Sequence, residues 1–237
     1  MMDLLESGAK KLGIELSGEQ LEQFETYYRE MVEWNKKVNL TAITDHEEVQ
    51  TKHFLDSLTI VKAVNPDNKR VIDIGTGAGL PGIPLKIAFH GICLTLLEAT
   101  AKKVKFLEYI VGKLGLGGVK IATGRAEELG HDANYREKFD IALSRAVAEM
   151  PSLAELALPF CKVGGCFIAQ KKGDIAGETE RALRAIETMG GKLREVKTAE
   201  VAGLEEERLL VIIDKVKPTP PQYPRRPGMP VKRPLLS

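Results

Sequence analysis

Polar and apolar positions along the chain fall into two regimes that meet near Pro66. Before it, the spacing is helical. Ser17 stands three residues ahead of Gln20, as in a capping box, and Leu21, Phe24, Tyr28, Met31 and Val38 then recur at helical intervals. This predicts an amphipathic helix from about Gly18 to Lys37. A polar loop over 39–45 follows, and Val49, Phe54, Leu55, Leu58 and Val61 predict a second helix over 47–64. With the segment 4–12, these make an N-terminal helical cap spanning 1–65.

From Arg70 onward the pattern alternates. Apolar runs at 70–74, 93–98, 118–122, 139–144 and 165–170 read as strands, with helical stretches between them at 80–89, 101–114, 125–129 and 151–158. Such alternation implies a parallel sheet with right-handed crossovers. A last long helix, 174–189, leads to apolar runs at 193–201 and 209–215, joined by an acidic connection at 203–207 that is too short for a crossover helix. Those two runs should pair antiparallel at one end of the sheet, closing a core of 66–217. Seven prolines within 218–234 then predict a tail, 218–237, that holds neither helix nor central strand and is extended, packed or mobile.

Composition narrows the class. An apolar fraction of 43% and a charged fraction of 28% in 237 residues suit a soluble globular protein with one sizeable core. No apolar run approaches the roughly 20 residues of a spanning helix. The N-terminus lacks the charge and apolar blocks of a signal peptide, so a cytoplasmic location without a membrane partner is expected. Cys93, Cys161 and Cys166 form no CxxC pair, which favours core thiols over a metal site. The net charge of +1 conceals a basic C-terminus, where Lys215, Lys217, Arg225, Arg226, Lys232 and Arg233 face no acid in the last 23 residues.

Candidate chemistry centres on Arg70-Val-Ile-Asp-Ile-Gly-Thr-Gly-Ala-Gly-Leu-Pro-Gly82, a buried strand that opens into a glycine-rich turn. Gly75, Gly77 and Gly79 permit a sharp turn and a close ligand approach. The ligand class depends on three other residues. Asp73 would repel a pyrophosphate but accept hydrogen bonds from an ammonium or a water held by one, as S-adenosylmethionine offers. Leu80 stands where the dinucleotide fingerprint needs its third glycine, while Glu98 ends the second strand and can bind ribose hydroxyls of either cofactor. Past the third strand, the Ala126 N–H and Glu127 carboxylate are candidates for an adenine edge, and Ser144 and Arg145 at the fourth strand's end should face the transferring methyl.

Five segments, in this order and spacing, resemble one family. They are Trp34-Asn-Lys-Lys-Val-Asn-Leu-Thr41, His53-Phe-Leu-Asp-Ser57, Asp73-Ile-Gly-Thr-Gly-Ala-Gly-Leu-Pro-Gly-Ile-Pro84, Gly124-Arg-Ala-Glu-Glu128 and Ser144-Arg-Ala-Val-Ala148. Together they resemble the RsmG (GidB) methyltransferases of bacterial small-subunit ribosomal RNA over about 20–215. The segment 223–235 is similar to the tail of many Gram-positive members, although other members lack it.

The resemblance implies an α/β, Rossmann-like class I S-adenosylmethionine-dependent methyltransferase fold, with a mostly parallel seven-stranded sheet whose last strand is antiparallel. It implies methyl transfer to N(7) of one guanine, guanine-527, in 16S rRNA, free or within the small ribosomal subunit or a precursor. Carried over residue by residue, cofactor contacts fall at Gly75, Leu80, the Glu98-Ala99-Thr100 turn, Ala126, Glu127 and Arg145. A monomer is favoured.

Mechanistic expectations follow from that nitrogen. Guanine N(7) carries an in-plane lone pair, so no general base is expected, and positioning supplies most of the rate. Arg145 would grip cofactor, phosphate or the guanine carbonyl oxygen. The tail and Lys36, Lys37, Lys102, Lys103, Lys105, Lys171 and Lys172 could meet RNA phosphates, with Asn39 and His53 bordering the site. Two other readings stay open, a dinucleotide-dependent oxidoreductase and a noncatalytic RNA-binding module.

Overall fold

The structure is a computed structural model that describes residues 1–200 and 207–236. Helices α1 (Asp3–Lys11) and α2 (Gly18–Val38) open the chain, and the Ser17–Gln20 capping box forms as the spacing predicts. Gln20 has a second role. Its Nε2 donates to Ile87 O at 2.7 Å, which ties the start of α2 to an element nearly seventy residues downstream.

The second predicted helix departs from the expected continuous α-helix. It runs as α3 (His46–Val49), a π-helical segment (Gln50–Leu55), α4 (Asp56–Leu58) and a 3-10 turn (Thr59–Lys62). A π segment widens the turn by one residue and is frequent at functional sites. Apolar spacing does not reveal it, because Val49, Phe54, Leu55 and Leu58 are buried in this arrangement too.

The core then alternates β1 (Arg70–Ile74), α5 (Gly82–Ala88), β2 (Cys93–Glu98), α6 (Ala101–Lys113), β3 (Val119–Thr123), α7 (Ala126–Leu129), β4 (Phe139–Arg145), α8 (Met150–Ala157), β5 (Cys161–Lys172), α9 (Ala176–Thr188), β6 (Gly191–Thr198) and β7 (Arg208–Lys215). The seven strands order as β3-β2-β1-β4-β5-β7-β6. β1 to β5 pair in parallel, β7 runs antiparallel to both neighbours, and β6 forms the edge. The predicted β6–β7 connection, 203–207, lies outside the described residues except for Glu207.

Side-chain alternation along the strands builds two cores. Val71, Ile141, Leu143, Ile168 and Ile212 point into one, shared with the N-terminal helices, α5 and α6. Ile72, Ile74, Ala142, Phe167 and Val211 point into the other, against α8 and α9. The cap therefore shares its packing with one sheet face. Cys161 and Cys166 are buried as expected, and burial pushes their thiols up to about 12 and about 11, while Cys93 is exposed.

The tail differs from expectation in one respect. It contains a short helix, α10 (Met229–Lys232), with Pro230 in its first turn, where a missing N–H costs little. Of the packed and mobile states expected, it takes the packed one, held by polar contacts. Lys215, counted above as part of a basic patch, is buried and donates from Nζ to Leu158 O at 3.0 Å and Met189 O at 2.9 Å and to Thr219 Oγ1. Arg225 is likewise drawn inward by the fully buried Glu155, with Nη2 to Oε2 at 2.7 Å and backbone N to Oε1 at 2.7 Å. Arg136 gathers the carbonyls of Thr219 and Tyr223 at 2.8 Å each.

Candidate active site

The turn after β1 lies at the carboxyl end of the central strands, where open α/β sheets hold ligands. Gly75, Gly77 and Gly79 have φ of +67°, +62° and +96°, the left-handed region that a side chain disfavours. Gly75 and Thr76 donate their N–H groups to Leu97 O at 2.9 and 3.1 Å, so the loop is stitched to β2 as well as to its own strand.

Two acids complete this stitching. Glu98 accepts from Gly77 N at 3.0 Å with one oxygen and from Thr100 N at 2.8 Å with the other. Exposed Ala99 and Thr100 thus turn away from β2 under a fixed carboxylate that keeps spare lone pairs. Asp73 is fully buried and uses Oδ2 to accept from Thr76 Oγ1 at 2.5 Å and Gly82 N at 2.9 Å. Burial raises its carboxyl to about 6, against the pull of those two hydrogen bonds and of Arg145. Its Oδ1 accepts no hydrogen bond among the described residues.

A brace from the cap supports the loop from behind, and sequence reasoning missed it. Tyr27, fully buried on α2, donates from Oη to Ala78 O at 2.5 Å and stacks on Phe54 with centroids 5.2 Å apart. The apolar spacing predicts a stripe through Tyr28, which the structure leaves half-buried; the buried face runs Gln20, Phe24, Tyr27, Met31. Leu80 is buried beside this brace and donates its N–H to Thr76 O at 3.0 Å.

The front of the loop is open. A Cβ placed on Gly77 would meet nothing nearer than Gly75 O at 3.9 Å. A bare glycine face, a buried acceptor without a donor at Asp73 and a carboxylate with spare lone pairs at Glu98 together fit a nucleoside bearing a cationic group.

Past β3, Ala126 and Glu127 are both buried on α7. Glu127 Oε1 accepts from Gly228 N at 2.9 Å, so this candidate for the adenine edge already holds the tail. Ser144 does not face the open side. It is fully buried, and its Oγ donates to Ile74 O at 3.2 Å across to β1.

Arg145 reaches from the end of β4 into the cap. Its Nη1 donates to Asp56 Oδ2 at 2.9 Å and to Lys52 O at 3.2 Å, at the π segment. Asp56 Oδ1 lies 3.3 Å from Arg208 Nε, so one buried carboxylate stands between two arginines. Around them is a cavity of about 440 Å³ with a wall of five cations, Lys52, Arg145, Lys171, Lys172 and Arg208. Lys171 is held by Glu178 at 2.6 Å.

His53 also lines this cavity, with Nε2 2.7 Å from Thr41 Oγ1. Burial, reinforced by Arg145, lowers its imidazole to about 4, so it is neutral near pH 7. Asn39 sits further back, in the left-handed conformation that ends α2. Of the remaining predicted basic positions, Lys36 pairs with Glu33 at 2.5 Å, and Lys102 and Lys105 are exposed on α6.

Cavity and glycine loop adjoin. Val147, two residues past Arg145, packs so closely over Gly75 that a Cβ there would come within 2.7 Å of Val147 Cγ2. Among the described residues, no group of three or more His, Cys, Asp or Glu side chains could hold a metal, and no helix is long and apolar enough to cross a membrane.

This strand order, with the glycine loop after the central strand and an acid ending its neighbour, defines a Rossmann-like α/β methyltransferase fold. A solved S-adenosylmethionine-dependent methyltransferase from Aquifex aeolicus shares the fold with a TM-score of 0.53 at 18% identity, over 73% of this chain and 94% of that one. Within the class the family is defined by sequence. The chain belongs to the GidB family, rRNA small subunit methyltransferase G, whose model matches residues 20–210. It is 52% identical over 235 residues to the ribosomal RNA small subunit methyltransferase G of Dehalococcoides mccartyi strain CBDB1, covering 99% of this chain and 100% of that protein. To the protein of the same name from Moorella thermoacetica it is 50% identical over 233 residues, covering 98% and 97%.

Proposed function

We propose that the chain transfers a methyl group from S-adenosylmethionine to N(7) of a guanine, guanine-527, in 16S rRNA, acting as a cytoplasmic monomer on RNA within the small ribosomal subunit or a precursor. The observation that carries this reading is the junction at Val147 and Gly75, where a cradle fit for an adenosyl ligand meets a cation-lined cavity fit for a nucleotide. When bound, S-adenosylmethionine supplies an electrophilic methyl on a sulfonium.

The chain's own residues then hold and orient. Gly75, Gly77, Gly79 and Leu80 form the cradle, Asp73 offers Oδ1 to the ammonium, and Glu98 offers its spare lone pairs to the ribose beside Ala99 and Thr100. The Ala126 N–H and the second carboxylate oxygen of Glu127 border the adenine edge, with the tail fixing Glu127 from the other side. No residue needs to remove a proton, because the accepting nitrogen already carries a lone pair. Arg145 stands at the join and holds the guanine carbonyl oxygen or a phosphate, so that proximity, which can be worth roughly 7–11 kcal/mol, does most of the work.

Arg145→Ala tests the reading. Asp56 keeps Arg208 as a partner, so the fold survives and methyl transfer to 16S RNA in small subunits falls by at least roughly a hundredfold, or about 2.7 kcal/mol. Near-normal incorporation of labelled methyl by this variant would contradict it.

A further inference from the structure

The fold divides the cations near the C-terminus into two kinds. Lys215 and Arg225 are engaged inside the protein, on backbone carbonyls and on Glu155. Arg226, Lys232 and Arg233 are exposed, and their side chains hold no hydrogen bond or ion pair among the described residues. These three line one cavity of about 490 Å³, with Pro227, Gly228 and Met229 between them and no acid in its wall. Like charges around one cavity repel one another, and an anion that enters relieves the repulsion.

The cavity is firmly placed. Gly228 N, in its wall, donates to Glu127 Oε1 at 2.9 Å on α7, and Ser152 Oγ on α8 donates to Pro230 O at 2.9 Å. His131 Nε2 lies 2.7 Å from Pro224 O, and Arg225 is paired with Glu155 immediately before the first of the three cations. Charges on a fixed backbone lose less freedom on meeting a partner than charges on a loose tail. Glu127 and Ser152 belong to the first turns of helices that follow β3 and β4, so the cavity stands at the carboxyl end of the sheet, as the glycine loop does.

Position also identifies the anion. Tyr223 and Leu235 of the tail pack with α8 and α9 over one face of the sheet. The cavity beside Arg145 takes Lys52, His53 and Asp56 from the cap, which packs on the other face. Two cationic cavities at one end of the sheet, over opposite faces, exceed what one small anion fills. A polyanion that crosses that end meets both.

We propose that Arg226, Lys232 and Arg233 form a docking site for the phosphate backbone of the RNA substrate, separate from the cavity beside Arg145. This rests on the methyltransferase reading above and deepens it. Phosphates carry no base identity, so the site contributes affinity and register and leaves the choice of base to the other cavity.

The test compares the full wild-type chain with a tail variant carrying Arg226→Gln, Lys232→Gln and Arg233→Gln. A control loses the same charge elsewhere through Lys10→Gln, Lys192→Gln and Lys197→Gln, all exposed positions. For each chain, Kd for small ribosomal subunits is measured across a series of potassium chloride concentrations, with kcat at saturating subunits, Kd for S-adenosylmethionine and a thermal melt. Each phosphate contact contributes about 0.7 to the slope of log Kd against log salt, so the tail variant's slope falls by about 2 and its Kd near physiological salt rises roughly tenfold or more. Its kcat and its Kd for S-adenosylmethionine stay at the wild-type values. The three single substitutions each lower the slope by about 0.7, so the outcome does not depend on the triple variant folding.

A tail variant whose slope and Kd move no more than the control's overturns the docking site, and so does one that loses kcat at unchanged Kd. Wild-type methyl transfer with unmoved slopes in the variants overturns the docking site alone. Absence of transfer by the wild type overturns the methyltransferase reading and the docking site with it.

Discussion

Gly77 separates what the glycine loop needs for folding from what it needs for binding. Its φ of +62° makes Ala strained there by about 1–2 kcal/mol, yet a Cβ meets no atom of the protein within 3.9 Å. Gly77→Ala should therefore melt only a few degrees lower while its affinity for S-adenosylmethionine falls tenfold or more, as titration calorimetry would measure. Unchanged affinity would mean that nothing binds in front of the loop. His53 permits a second test. Its folded value near 4 lies below its ordinary 6.5, so the unfolded chain binds the extra proton between them and stability is lost as pH falls through that window. Relative to His53→Gln, the wild type should lose about 2 kcal/mol in urea unfolding between pH 7.5 and 5. Asp73, raised to about 6, works in the opposite sense over this interval and is present in both chains, so the difference isolates His53.

At the scale of elements, the tail is a structural strap. Its proline content predicts an extended segment, packed or mobile, and it is packed: Glu155 lies fully buried under it and takes three side-chain hydrogen bonds from Arg225. Among the described residues, Arg225→Ala leaves that carboxylate with only the backbone N–H of the tail, and removing one partner of a buried pair costs about 3–5 kcal/mol. The midpoint of urea unfolding would report it; a loss under about 0.5 kcal/mol, normal for a surface substitution, would show that the strap contributes nothing. The strap also reaches the site, since Gly228 is bonded to Glu127 on α7. Pairing of this kind is hidden from a count of charges, because Arg225 and Glu155 are seventy residues apart and only the fold brings them together.

Across the whole molecule, what could be read from the sequence was what local spacing controls. Alternating apolar runs placed the strands, Asp73 with the three glycines located the glycine loop, and Glu98, ending the next strand, is hydrogen-bonded to it. What escaped depends on packing between distant segments. Either Tyr27 or Tyr28 continues a helical stripe on α2, and only contact with the glycine loop and Phe54 selects Tyr27. The π segment preserves the apolar spacing of an α-helix, so although Asp56 and Arg145 lie in two of the five motif segments, spacing does not show that they meet Arg208 across 46–62, β4 and β7. Incubating the chain with labelled S-adenosylmethionine and 16S RNA, free and in small subunits, and identifying the product nucleoside tests methyl transfer to guanine N(7) most directly. The expected product is one 7-methylguanosine per RNA at a single position. Label on an exocyclic amine, or no label in either substrate, would contradict it.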